Sequence, residues 1–123
     1  MSVKRLSVLL EISRIRRDVE MAALARLTAE RQSLSAAQDA VARQEREARE
    51  AGLASPQDGL QAERFSAWTA RRAQALEAQA EVVAARMEAQ KQATRIAVGR
   101  EHNLEKISDR LVEAARKQKA KNG

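Results

Sequence analysis

Cysteine and tyrosine are absent from this chain, and proline, histidine, phenylalanine and tryptophan occur once each. Without cysteine there is no disulfide and no thiolate metal ligand, a usage that suits a reducing cytoplasm. With one Phe and one Trp, the large side chains that dominate a globular core are missing. Long apolar runs are missing too. No stretch approaches the roughly 20 residues a membrane span needs. Val8-Leu9-Leu10 is cut off at once by Glu11, too short for the apolar region of a secretory signal. The expectation is a soluble protein without a membrane span.

Catalytic motifs are equally scarce. The lone His102 sits between Glu101 and Asn103 with no second imidazole to complete a metal site. There is no P-loop, no glycine-rich phosphate cradle and no nucleophile elbow. No enzyme activity, small-molecule substrate, metal or cofactor is expected. Glu101 and Glu105 read as ordinary helix-surface residues.

What the chain does contain is charge and small apolar residues. Of its 123 residues, 33% are charged and 44% hydrophobic, with alanine abundant and only four glycines. That composition matches a long-helix or coiled-coil protein and not a disordered one. The obvious break lies near the midpoint, at Gly52-Leu53-Ala54-Ser55-Pro56-Gln57-Asp58-Gly59. The fold class expected is all-α, a long antiparallel two-helix coiled-coil hairpin forming one domain over 1–123. Helix one should cover about 4–51, the turn about 52–57 and helix two about 57–119, with a basic C-terminal tail. At 1.5 Å per residue the helices would measure roughly 70 Å and roughly 90 Å, so the second would overhang the first. Gly52 could end helix one in a left-handed conformation. Ser55 could cap helix two with Pro56 at its first position, or Asp58 could be the cap.

In the first arm Leu6, Leu9, Ile12, Val19, Ala23, Leu27, Leu34 and Val41 recur at steps of three, four or seven. In the second, Leu76, Val83, Ala97, Leu104 and Leu111 share a seven-residue phase, with Ala80, Met87, Ile107 and Ser108 near the complementary positions. Polar Arg16, Glu30, Gln90 and Thr94 fall on or beside this seam. Asp39/Arg43, Glu45/Arg49 and Glu113/Lys117 are spaced for helix-surface ion pairs worth about 0.2–0.5 kcal/mol each. Gly99 inside helix two marks a kink, a close contact with the facing helix or simply a weak point.

Net charge is +6, and it is concentrated at the ends. Lys4, Arg5, Arg14, Arg16 and Arg17 stand near the N-terminus, and Arg100, Lys106, Arg110, Arg116, Lys117, Lys119 and Lys121 near the C-terminus. A hairpin brings both termini to the same end, which is then basic. Basic residues alternate there with Glu101, Glu105, Asp109 and Glu113 and have no aromatic neighbours, which disfavours a nucleic-acid track. Residues 1–17 also carry Leu6, Leu9, Leu10 and Ile12, as a membrane-surface helix would. Phe65 and Trp68, one turn apart beyond the break, either clamp the turn end of the seam or present an aromatic patch to a partner.

Two local sequences, Glu63-Arg64-Phe65-Ser66-Ala67-Trp68 and Gly99-Arg100-Glu101-His102-Asn103-Leu104-Glu105-Lys106-Ile107-Ser108-Asp109-Arg110, together with the hairpin length and basic termini, resemble the FliJ/YscO family of flagellar and type III secretion export proteins. The second is similar to that family's C-terminal pattern of a basic residue, Leu-Glu-Lys-Leu and an acidic-Arg pair. The chain departs from the family pattern in being short and poor in aromatics. The resemblance implies a cytoplasmic stalk-like protein, peripheral to a membrane-bound export apparatus. Its paired termini would enter the hexameric export ATPase ring, and it would link that ring to the export gate protein and handle export chaperones. Candidate ring contacts are Arg14, Arg16, Arg17, Arg100, Lys106 and Arg110; candidate second-partner contacts are Phe65, Trp68 and Leu76. The alternative is a generic coiled-coil adaptor or scaffold, which could self-associate, and less so a basic nucleic-acid-binding coiled coil.

Overall fold

A computed structural model describes residues 2–52 and 56–123, and the chain is all-α, a two-helix hairpin. α1 runs Val3–Gly52 and α2 runs Pro56–Asn122, with no strand among the described residues. Ser2 starts α1: its Oγ accepts the Arg5 backbone N–H at 3.2 Å, and its carbonyl accepts that of Leu6 at 3.0 Å. A serine side chain satisfying an early orphan N–H is the ordinary N-cap arrangement. Gly52 is the last residue of α1, so the first helix ends where the sequence places its break. α2 opens at Pro56, where the fixed φ and missing N–H of proline are tolerated, and Asp58 lies within the helix instead of capping it. Ser55, the other candidate cap, lies with Leu53 and Ala54 outside the described residues.

The expected basic tail is helical through Asn122. Alanine, lysine and glutamine are strong helix formers, and Lys119 and Lys121 in the last turn complement the helix dipole. Gly99 does not interrupt α2. A Cβ built there meets nothing within 4 Å, so the glycine marks no close approach of the facing helix.

The packing falls into two units, Met1–Ala25 with Glu88–Gly123, and Arg26–Met87. In the second, Val41 of α1 and Thr69, Leu76, Val83 and Met87 of α2 are buried, with Leu27, Leu34, Ala62 and Ala80 half-buried. Leu76 and Val83 keep the seven-residue phase expected of α2. Thr69 satisfies its hydroxyl by donating to the Ser66 carbonyl at 2.9 Å, which makes its burial tolerable.

In the unit holding both chain ends, the buried residues are Leu6 and Leu10 of α1 and Ala97 and Glu101 of α2. Leu104, Ser108 and Leu111 are half-buried, as their register requires. Between Leu10 and Leu24 the inward positions of α1 are Ser13, Arg17, Glu20 and Ala23, all half-buried. Leu9, Ile12 and Val19, expected on the seam, are exposed, as is Ile107 of α2. Two stripes of similar spacing compete on α1 here. The more apolar one faces outward, because the α2 face opposite is itself polar.

Candidate functional site

The polar stretch is held by side chains from both helices. Gln90 Nε2 donates to the Glu20 carboxylate at 2.5 Å and to the Glu20 carbonyl at 3.1 Å. Thr94 Oγ1 donates to the same carbonyl at 3.3 Å. Arg16 Nε reaches the Glu20 carboxylate from one turn away at 3.1 Å. One layer on, Glu101 Oε1 lies 3.6 Å from Arg14 Nε and 3.5 Å from Arg17 Nη1, and Arg17 also contacts Asp18 at 3.1 Å. Among the described residues no buried side-chain polar atom lacks a hydrogen-bond partner. Glu101 is therefore a seam residue, not the surface residue its sequence neighbourhood suggested. Its signal was available: it stands seven residues after Thr94 and seven before Ser108.

The six basic residues expected to contact a ring divide into two groups. Arg14 and Arg17 both face the Glu101 carboxylate while keeping part of their side chains in solvent. Arg16 pairs with Glu20 yet stays open to solvent. Arg100, Lys106 and Arg110 are exposed and form no ion pair among the described residues. Lys106, Arg110 and Lys117 follow at steps of four and seven, which places them on one face of α2. From Val112 to Asn122 every residue of α2 is exposed, including Arg116, Lys117, Lys119 and Lys121. The overhang expected of the longer helix is present as this uncovered basic segment. Of the three helix-surface pairs expected, Glu45–Arg49 closes at 2.6 Å; Asp39/Arg43 and Glu113/Lys117 form no ion pair among the described residues.

In the unit spanning Arg26–Met87, Phe65 and Trp68 stack with ring centroids 5.7 Å apart and planes 30° from parallel. Phe65 is half-buried, while Trp68 is 49% exposed. With Gln44, Glu47 and Ala48 of α1 they line a shallow groove. Beside them Ser66 Oγ donates to Glu45 Oε1 at 3.0 Å, tying the two helices together. The pair is thus covered on the Phe65 side and open to solvent on the Trp68 side. Leu76 does not join that face. It is 2% exposed, a packing residue rather than a surface for a partner.

Among the described residues no group of three or more His, Asp or Glu is placed to hold a metal, and no helix is long and apolar enough to cross a membrane. Comparison of the chain with protein-family models, curated proteins and solved structures finds no match in any of the three.

Proposed function

We propose that the chain is a stalk-like component of a flagellar or type III secretion export apparatus, similar to the FliJ/YscO family, whose paired termini engage a hexameric export ATPase and link it to the export gate. The observation that carries this reading is the uncovered basic segment of α2 from Val112 to Asn122, continuous with the unpaired Arg100, Lys106 and Arg110. Cations free of internal partners are those available to acidic groups lining a ring, and their field favours association with such a surface. Arg14 and Arg17 are engaged by Glu101, so the contact falls to Arg100, Lys106 and Arg110, with Arg16 and the terminal lysines beside them. Phe65 and Trp68 offer a second surface, suited to an export chaperone or another partner with an apolar docking face.

The test is the activity and ring assembly of a purified export ATPase with and without the protein, and with a variant reversed in charge at Arg100, Lys106 and Arg110. Stimulation by the wild type that the variant loses supports the stalk reading and locates its working end. If the wild type neither binds nor stimulates its cognate ATPase, the second reading takes over: a coiled-coil adaptor that works through the exposed aromatic pair.

A further inference from the structure

In the unit holding both chain ends, one face of α1 carries an exposed apolar stripe. Val8, Ile12, Ile15 and Val19 of α1 are between 51% and 59% exposed. They follow at steps of four, three and four, which is the spacing of a coiled-coil seam, with Val8 and Ile15 at one core position and Ile12 and Val19 at the other. They occupy the side of α1 turned away from Leu6, Leu10, Ser13 and Arg17, the stripe that meets α2. The helix carrying them is already formed and held by α2, so docking another helix here requires no new helix nucleation.

The flanks of the stripe differ in charge. Glu11 and Asp18 border it on one side, and Leu9 and Arg16 on the other. A membrane surface of anionic lipid favours basic residues along both margins, and here one margin carries two carboxylates. A second copy placed antiparallel would set acidic flank against acidic flank. A second copy placed parallel sets the acidic flank of each against the basic flank of the other, so that Glu11 meets Arg16 of the second copy, and the reverse. Glu11 forms no ion pair within its own chain among the described residues, and Arg16 remains well exposed beyond its contact with Glu20. Arg5 continues the register one step past Val8; facing its own mate, it would bound the seam at that end.

We propose that Val8, Ile12, Ile15 and Val19 form the contact surface for a second copy of this chain, joined parallel and in register about a two-fold axis with Glu11 and Arg16 paired across the interface. This inference does not depend on the export reading.

Sedimentation equilibrium of the full chain over a concentration series tests it. The wild type is expected to show a monomer–dimer equilibrium. The variant Ile12→Asn with Ile15→Asn should weaken dimerisation at least about tenfold, since two core layers of the seam lose their apolar contacts. Both residues are exposed in the single chain, so helicity by circular dichroism should be unchanged. Glu11→Arg and Arg16→Glu should each weaken the dimer about threefold, and the two together should restore it. Ile15→Cys, in a chain with no other cysteine, should oxidise to a self-linked dimer, because a parallel in-register seam sets this residue against its own mate. A chain that stays monomeric to millimolar concentration overturns the proposal, as does a dimer indifferent to the asparagine variant. Failure of the charge swap to restore affinity overturns the parallel arrangement. Binding of the monomer to phosphatidylcholine–phosphatidylserine vesicles, lost in the asparagine variant, would assign the stripe to lipid instead.

Discussion

Glu101 of α2 and Arg17 of α1 approach to 3.5 Å across the hairpin, with Glu101 only 7% exposed. A buried carboxylate is tolerated because two guanidinium groups, those of Arg14 and Arg17, meet it. Both arginines keep contact with solvent, which limits the gain. Glu101→Ala should therefore cost about 1 kcal/mol, well short of the cost of orphaning a fully buried charge. Replacing both partners, Arg17→Leu with Glu101→Leu, should stabilise the protein by about 1–2 kcal/mol, because an apolar layer needs no desolvation of charge. Urea unfolding of the three proteins checks both signs.

The register of α1 can be read by neighbouring leucines. Leu10 is buried and Leu9 is 40% exposed. Leu10→Ala should cost about 2–3 kcal/mol and Leu9→Ala less than about 1 kcal/mol. Equal losses in thermal or urea unfolding would contradict the inward stripe of Leu6, Leu10, Ser13 and Arg17.

Gly99 is a place to gain stability. It lies within α2, and an added Cβ has open space around it. Gly99→Ala should stabilise by about 0.5–1 kcal/mol through helix propensity alone. A loss of stability on unfolding would show that the position carries a constraint other than the helix.

Trp68 is the one tryptophan, so its fluorescence reports on the aromatic pair. Half exposed, it should be quenched readily by acrylamide, and Trp68→Ala should change stability by no more than about 1.5 kcal/mol, the scale of the Phe65 stack with modest burial. A partner docking on this face should slow quenching and shift the emission to the blue. Quenching that is slow in the isolated protein would mean that the ring is covered.

Removing residues 112–123 should leave the unfolding midpoint nearly unchanged, within about 0.5 kcal/mol, since each of these residues is exposed. Under the proposed function the same truncation should abolish stimulation of the export ATPase. A large fall in stability would show that the segment packs on the hairpin.

Much of the architecture was legible before any coordinates. Pro56 at the head of α2, alanine-rich arms and the phase shared by Leu76, Val83, Ala97, Leu104 and Leu111 all point to the two helices observed, because each depends on local backbone preference or on a repeat sustained over many turns. The working surfaces were legible only in part. The exposed state of Lys106 and Arg110 follows from their position opposite the seam. The engagement of Arg14 and Arg17 does not, since it depends on Glu101 arriving from a residue more than 80 positions away.

The sequence by itself determined that this chain forms two long helices and where they part, for helix propensity, proline and the seven-residue repeat act over short range. Only the tertiary structure decided which side of α1 meets α2. Near the N-terminus both Leu6-Leu10-Ser13-Arg17-Glu20 and Val8-Ile12-Ile15-Val19 have helical spacing, and apolarity favours the second. The facing α2 surface carries Gln90, Thr94 and Glu101, which need hydrogen-bonding and charged partners once buried. Ser13, Arg17 and Glu20 turn inward, and the more apolar stripe is left on the surface.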